Sequence, residues 1–430
     1  MAAQATKELN LSKGYRNYIF ILLFLLYFFD YVDRMIVSSL FPFIKSDWGL
    51  TDAECGMLVS AVYWSIIIFT FPVSILVDRW SRKKTIGLMA VVWSVATGLC
   101  AFAGNFKHLF VSRTVIGIGE AGYAPGGTAM ISGLYPEEKR SSIMGLWNAS
   151  IPLGNAVGMI LGGIIATHWG WRHAFGIVAL PGLFVAILFF FVKDYKTVEL
   201  VKSSDTSTGG GPKVKMKAAD IFNQFIRTPS LIFTYFGFAG MTFVLVGILT
   251  WLPSFFNRVY DIPMDKAGLK AGTIMALALI GAPIGGYLAD RWLRTRTNAR
   301  PLYSGISALI AGVLLLAAMV LFTGDIQYVL LLIFGVVYAS FVPAAAAVTQ
   351  DVVHPGLRAT SYAICVVVQN LLGSSTAPIV IGSISDGYDI QTAMMILPAF
   401  LLVAAVLFFA GSIFYTRDLG RVEKIALEIE

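Results

Sequence analysis

Five ionisable residues stand where ionisation is costly. Asp30, Asp33 and Arg34 fall within "LYFFDYVDRMIVSSL", and Arg113 and Glu120 within "RTVIGIGEAGYAPGG", both otherwise apolar stretches. Asp30 and Arg34 are spaced i, i+4 and can pair along a helix, whereas Asp33 is turned about 100° from Arg34. Arg113 and Glu120 are two helical turns apart, so they share a face and lie about 10 Å apart along the axis. Lipid would penalise each of these groups, so all are expected to look into a bundle or a watery cavity. The chemistry open to such a set is proton exchange. How firmly a carboxyl group holds its proton depends on its hydration and on neighbouring cations. A movement that separates acid from guanidinium therefore changes protonation. Asp33 and Glu120 are the expected proton carriers, Arg34 and Arg113 the movable counter-charges, and Asp30 an accessory acid. The competing interpretation is a static ion cluster that fixes helix packing.

The second stretch also spells Gly117-Ile-Gly119-Glu120-Ala-Gly122, a literal G-x-G-x-x-G. A dinucleotide fingerprint needs a strand before it, a helix after it and an acidic residue further on. Neither the strand nor that acid is legible here. The glycines are expected instead to let a membrane helix approach its neighbours closely.

These residues must be held by membrane-spanning helices. The 430 residues are 57% hydrophobic and 13% charged, with a mean hydropathy of +0.75. A soluble domain carries about a quarter charged residues. Apolar segments of spanning length, about 20 residues, can be read at 17–40, 54–77, 85–104, 108–131, 141–166, 173–192, 229–256, 266–289, 301–322, 327–350, 360–383 and 391–416. The 16 mostly polar residues before the first segment, and its length, do not fit a cleaved signal peptide. Cys55, Cys100 and Cys365 lie far apart in or beside apolar runs and form no metal or disulfide pattern. "VKSSDTSTGGGPKVKMK" marks a flexible linker over 193–228. The expected architecture is therefore all-α, with twelve transmembrane helices in two six-helix bundles, residues 1–192 and 229–430, joined by that linker.

Charge placement orients the chain. With both termini in the cytoplasm, 24 of the 32 Lys and Arg residues fall on cytoplasmic segments and six opposite; Arg34 and Arg113 lie inside spans. This asymmetry accounts for the net charge of +7 without nucleic acid. The halves also echo each other. "SILVDRWSRKK" follows the second segment and "GGYLADRWLRTR" the eighth; "RSSIMGL" precedes the fifth and "RATSYAI" the eleventh. A parallel duplication of six-helix units follows, an arrangement found in alternating-access carriers.

With these motifs in view, the whole chain resembles the major facilitator superfamily. The Asp78-Arg79-x-x-Arg82-Lys83 loop, with its echo at Asp290, Arg291 and Arg294, is similar to that superfamily's signature, although Ser74 stands where glycine is usual. The resemblance implies that these loops latch the cytoplasmic gate. Within the superfamily, "YVDR", "RTVIGIGEAGYAPGG", "SIPLGNAVGMILGGIIATHWGWRHAFGIVALPGL" and "NLLGSSTAPIVIGSISD" resemble the spinster-like branch. That branch implies roles in proton-driven switching for Asp33, Arg34, Arg113 and Glu120, and an amphipathic lipid or lysolipid as substrate. Organic anion:proton symporters share the same charged motif, so a small carboxylate or sugar acid is the alternative. The resemblance implies a monomeric, multi-pass protein of a bacterial inner membrane, driven by a proton gradient, with no cofactor and no metal.

Polar and aromatic residues within the segments mark candidate cavity linings: Tyr27, Tyr63, Trp64, Trp147, Asn148, Tyr235, Trp251, Tyr338, Gln350, Tyr362, Gln369 and Asn370. About half should serve as interfacial belts. Uncharged amides in hydrocarbon need partners, which favours Asn148, Gln369 and Asn370, with Trp147. Together with Arg34, Arg113 and Glu120 they form the expected substrate site. One wall is charged and the other nearly uncharged, which suits a molecule with one polar and one apolar end. No nucleophile–base pair or metal-ligand spacing suggests an enzyme.

Overall fold

A computed structural model describes residues 12–79, 81–135, 137–193, 226–354 and 357–422. These residues are helical with short turns. Side-chain caps start several helices. Ser12 accepts from Tyr15 N–H ahead of α1 (Lys13–Ile36), and Asn105 from His108 N–H ahead of α5 (Phe106–Glu120). Such caps satisfy first-turn donors that have no partner within the helix. Gly49, with φ +66°, ends α2 (Phe41–Trp48) and lets the chain turn into α3 (Asp52–Arg79).

Nine stretches among the described residues are long and apolar enough to cross a membrane, from Asp52–Val73 through Ile390–Gly420. They cover the expected segments other than 17–40, 85–104 and 108–131. Helices occupy those three places as well: α1, α4 (Arg82–Cys100), and α5 followed by α6 (Tyr123–Leu134). Charges lower their apolarity: Asp30, Asp33 and Arg34 in α1, Arg82, Lys83 and Lys84 at the head of α4, Arg113 and Glu120 in α5. The fourth expected segment is also not one rod, because the helix breaks at Ala121–Gly122, directly after Glu120.

Glycines set the packing. On α8 (Ser150–Trp169), which follows α7 (Glu137–Asn148), a Cβ at Gly154, Gly158 or Gly162 would stand 2.5, 2.7 or 2.8 Å from the carbonyl oxygens of Phe28, Val32 and Ile36. This four-residue ladder presses α8 onto α1 along the turns that carry Asp30, Asp33 and Arg34. Another face of α8 meets the second half of the chain. A Cβ at Gly163 would lie 2.3 Å from Met264 O, and one at Gly268 would lie 2.5 Å from Met159 O. A matching seam joins α3 to the Ala377–Gly387 helix, where Cβ atoms at Gly56 and Gly382 would fall 2.3 and 2.5 Å from Pro378 O and Asp52 O. Both seams lie at the end of the molecule that carries the turns near residues 50, 170, 262 and 388.

Candidate functional site

Four of the five intramembrane charges converge where α1, α3 and α5 meet, and Asp33 sits against the neighbouring α4. Arg34 is the hub. Its Nη2 lies 3.1 Å from Asp30 Oδ2 and its Nε 2.9 Å from Glu120 Oε2. The Glu120 contact is off the hydrogen-bonding axis, so it is an ion pair rather than an aligned bond. One guanidinium thus serves two carboxyl groups. Tyr31 and Tyr63 place ring faces 4.7 and 5.9 Å from the Arg34 carbon, where a cation is attracted by the ring quadrupole. The Arg34 side chain is 12% exposed, whereas those of Asp30 and Glu120 are at most 1% exposed. Arg34 is therefore the reachable charge of the trio.

Asp33 faces away, as its angular offset requires. It accepts from Thr97 Oγ1 at 3.1 Å on α4, and its other oxygen has no hydrogen-bond partner. Arg113, expected as a movable counter-charge, is engaged differently from Arg34 in this conformation. Its guanidinium hydrogen-bonds main chain rather than a carboxylate: Nε donates to Leu58 O at 3.2 Å, Nη1 to Asp33 O at 3.0 Å and Nη2 to Arg34 O at 3.2 Å. The reason is local. The α1 helix gives way to a 3-10 turn at Val37–Ser39, and carbonyls in the last helical turn lack intrahelical donors. Arg113, fully buried, supplies them and ties α5 to α1 and α3.

The G-x-G-x-x-G stretch is resolved the same way. A Cβ on Gly117 would lie 2.4 Å from Val62 O, and one on Gly119 2.8 Å from Trp93 N. These glycines bring α5 against α3 and α4 and so deliver Glu120 to Arg34.

The aromatic candidates separate. Tyr27 stacks on Trp147 with centroids 4.3 Å apart, and Tyr123 lies 5.4 Å from Tyr27. Trp147 Nε1 and Tyr123 Oη both donate to Leu23 O, at 3.3 and 2.5 Å. Tyr63, its ring 5.9 Å from Arg34, and Tyr27, packed on Tyr31, border the charged trio, with Trp147 stacked behind Tyr27. In the second half, Trp251 is fully buried against Phe41 and donates to Pro378 O at 3.0 Å. Tyr338 donates to Met241 O at 2.7 Å and Tyr235 to Ser361 O at 2.8 Å. Trp251 and Tyr338, expected to line the cavity, thus turn their polar atoms to backbone carbonyls in this conformation. Gln369 accepts from Thr242 Oγ1 at 3.2 Å. Asn370 opens a π-helical turn, Asn370–Ser374, a distortion frequent at functional sites. Asn148, Trp64 and Tyr362 are exposed, and Gln350 lines a cavity of about 400 Å³ with Arg300, Asp351 and Arg358.

The repeated loop is only partly visible. The side chains of Asp78, Arg79 and Arg82 lie outside the described residues, as does most of the 193–228 linker. Asp290 pairs with Arg300 at 3.1 Å, and Arg300 also meets Asp351 at 2.6 Å; Arg291 and Arg294 are exposed. Sequence reasoning missed Thr97, Tyr31 and Tyr123. Their types are ordinary in apolar helices, and only Tyr31, beside Asp30, offered a positional hint.

A partly exposed guanidinium held between two buried carboxyl groups inside apolar helices is a geometry that suits a carrier. A family model, Major Facilitator Superfamily, matches residues 23–376. The chain belongs to the Major Facilitator Superfamily. It is a multi-pass membrane transporter, not an enzyme. Among similar proteins, the hexuronate transporter of Bacillus subtilis (strain 168) is 27% identical over 71% of this chain and 72% of its own length. Protein spinster homolog 1 of Xenopus tropicalis is 26% identical over 97% of this chain and 85% of its own. The fold matches a crystal structure of a bacterial homolog of the human lysosomal transporter Spinster, inward-facing and unoccupied. That match has a TM-score of 0.81 and 22% identity, over 95% of this chain and 99% of the other. A D-xylose–proton symporter matches with TM-score 0.70 and 15% identity, over 92% and 97% of the respective chains.

Proposed function

We propose that this transporter is a proton-coupled carrier of an amphipathic lipid or lysolipid with one anionic group, working by alternating access. Two six-helix bundles, 1–192 and 229–430, would rock about the glycine seams, with the 193–228 linker and both termini in the cytoplasm of a bacterial cell. On that orientation the seams close the extracytoplasmic mouth, so the conformation described faces inward. The observation that carries the reading is Arg34 held between Asp30 and Glu120. Arg34 can neutralise those acids or a substrate anion, not all three at full strength. When an anionic group takes the guanidinium, a carboxylate left in low dielectric without its counter-charge takes up a proton instead. Substrate binding and proton uptake are thereby linked. Asp33, with one oxygen unpartnered, is a second proton position. The Asp290–Arg300–Asp351 set, with Arg291, Arg294 and the Asp78, Arg79 and Arg82 loop, would close the cytoplasmic gate in the opposite state.

The lipid reading is supported by the nearly uncharged facing wall and by spinster relatives that span almost the whole chain. A second reading, proton symport of a small sugar acid, draws on one observation: amide and aromatic polar groups, Asn148, Gln369, Asn370 and Tyr362, suit hydroxyls, and a hexuronate transporter is among the relatives. Proteoliposomes with an imposed pH gradient test both. Gradient-driven movement of a labelled lysophospholipid, abolished in Glu120→Gln, is the expected result. Gradient-driven uptake of glucuronate, with no lysophospholipid movement, would install the second reading; neither substrate moving would remove both.

A further inference from the structure

A second ionic cluster, which the carrier chemistry above does not use, sits at the closed mouth where α3 begins. Thr51 and Glu54 form a capping box: Thr51 N–H donates to Glu54 Oε2 at 2.8 Å, and Glu54 N–H to Thr51 Oγ1 at 3.1 Å. The donors between them go across the molecule. Asp52 N–H and Ala53 N–H reach the two oxygens of Asp386, at 2.7 and 2.8 Å. An element of one half thus receives part of its N-terminal cap from the other half, with an acid at the positive end of the helix dipole.

The Asp52 side chain, 2% exposed, carries the rest. Arg258 forks onto it, Nη1 at 2.6 Å from Oδ2 and Nη2 at 2.7 Å from Oδ1. Ser385 Oγ donates to it at 2.6 Å, and Lys45 Nζ, from its own half, at 2.5 Å. Two carboxylates face two cations, so the set is neutral and its burial is tolerable. Arg258 and Lys45 keep 28% and 27% side-chain exposure at the rim. On opening, water can reach the groups as they part, which makes the cluster reversible rather than permanent.

We propose that Asp52 and Asp386 form a latch between the halves, which stabilises the closed state of this mouth and must be released in every cycle. The contacts act together because a small separation of α3 from the Ala377–Gly387 helix breaks the Asp386 cap, the Ser385 bond and the Arg258 fork at once. The inference rests on the alternating-access reading, but on neither the substrate nor the proton.

Cys55, three residues beyond Asp52 and fully buried beside the seam, is a native reporter. With Cys100→Ala and Cys365→Ala it is the sole thiol, and its alkylation by N-ethylmaleimide is followed by intact mass on the purified full-length protein. Arg258→Gln is expected to raise the alkylation rate about tenfold, as a two-state equilibrium shifts toward the open mouth. Asp386→Asn should act in the same direction. Combining the two should raise the rate at least as far as either alone, since both contacts stabilise the same closed state. An unchanged rate in folded Arg258→Gln protein overturns the latch. Should that variant misfold, Ser385→Ala decides, with a rise of about threefold expected and no rise overturning it. A protein that does not alternate would also fail the uptake experiment; one that transports with Cys55 equally shielded in every variant refutes the latch alone.

Discussion

At the scale of single residues, charge economy in hydrocarbon decides what matters. Arg34 works through its fork: Nη2 to Asp30, Nε to Glu120, and a planar cation against the rings of Tyr31 and Tyr63. A lysine keeps the charge but loses the geometry. Arg34→Lys should therefore lower gradient-driven transport by about tenfold or more, the equivalent of one charge-assisted hydrogen bond. Thr97→Val makes a contrasting case. It removes the hydroxyl that donates to Asp33 and keeps the shape, so the fold should survive. The pH profile of transport should shift while the maximal rate changes little, as measured by uptake across a range of internal pH. An unmoved profile would take Asp33 out of the proton path. Asp30, Asp33, Arg34, Arg113 and Glu120 were legible in the sequence because a charge in an apolar run needs a reason. Their partnerships were legible only where spacing fixes them: Asp30 with Arg34 could be read from i, i+4, whereas the turn of Arg113 toward carbonyls could not. That choice depends on where α1 stops being α-helical; Pro42 in "MIVSSLFP", which has no N–H for the Ser38 carbonyl, marks an interruption but not which carbonyls of α1 it frees.

At the scale of elements, α1 and α5 are held by devices of different kinds. Arg113 is a polar pin. Removing its guanidinium leaves the Asp33 and Arg34 carbonyls, in the last turn of α1, without their donor in a buried site. Arg113→Gln is expected to cost about 3 kcal/mol and to lower the melting temperature of the purified protein, so its loss of transport would trace to folding. A variant with an unaltered melt and no transport would return Arg113 to the role of mobile counter-charge. Gly158 is an apolar pin, since any Cβ there meets the Val32 backbone at 2.7 Å. The helix-rich architecture was readable from hydropathy because spans must be long and apolar. The interruption at Ala121–Gly122 falls four residues before Pro125, and the π turn Asn370–Ser374 ends four residues before Pro378; each proline lacks the N–H that the carbonyl four residues back would accept, a signal that hydropathy alone does not register. The ionic cluster at Asp52 escaped notice for a related reason. Asp52, Arg258 and Asp386 sit at helix ends, where charges are cheap and carry no sequence signal.

At the scale of the whole molecule, α8 has two faces with two duties. The face carrying Gly154, Gly158 and Gly162 packs within the first half, and on the alternating-access proposal it would stay packed whichever mouth is open. The face carrying Met159 and Gly163 meets Met264 and Gly268 of the second half, a contact that the same proposal requires to part when this mouth opens. The same small change should therefore have opposite signatures at the two seams. Gly158→Ala pushes a methyl group into a contact present in every state, so it should lower the melting temperature and leave the balance of conformers alone. Gly268→Ala pushes a methyl group to 2.5 Å from Met159 O in the closed-mouth state alone, so it should penalise that state selectively. Spin labels on Ser46 and Asp261, both exposed, replaced by cysteine in a protein without its native thiols, report the separation of the halves at this end. Gly268→Ala should move the distance distribution toward the longer population with a small change in melting temperature. A penalty of about 1.4 kcal/mol suffices for a tenfold change in population, and overpacking costs about 1–3 kcal/mol. A lowered melt with an unchanged distribution would mean that the Met264–Ala276 helix and α8 move as one body, and the pivot would then have to lie elsewhere than between them.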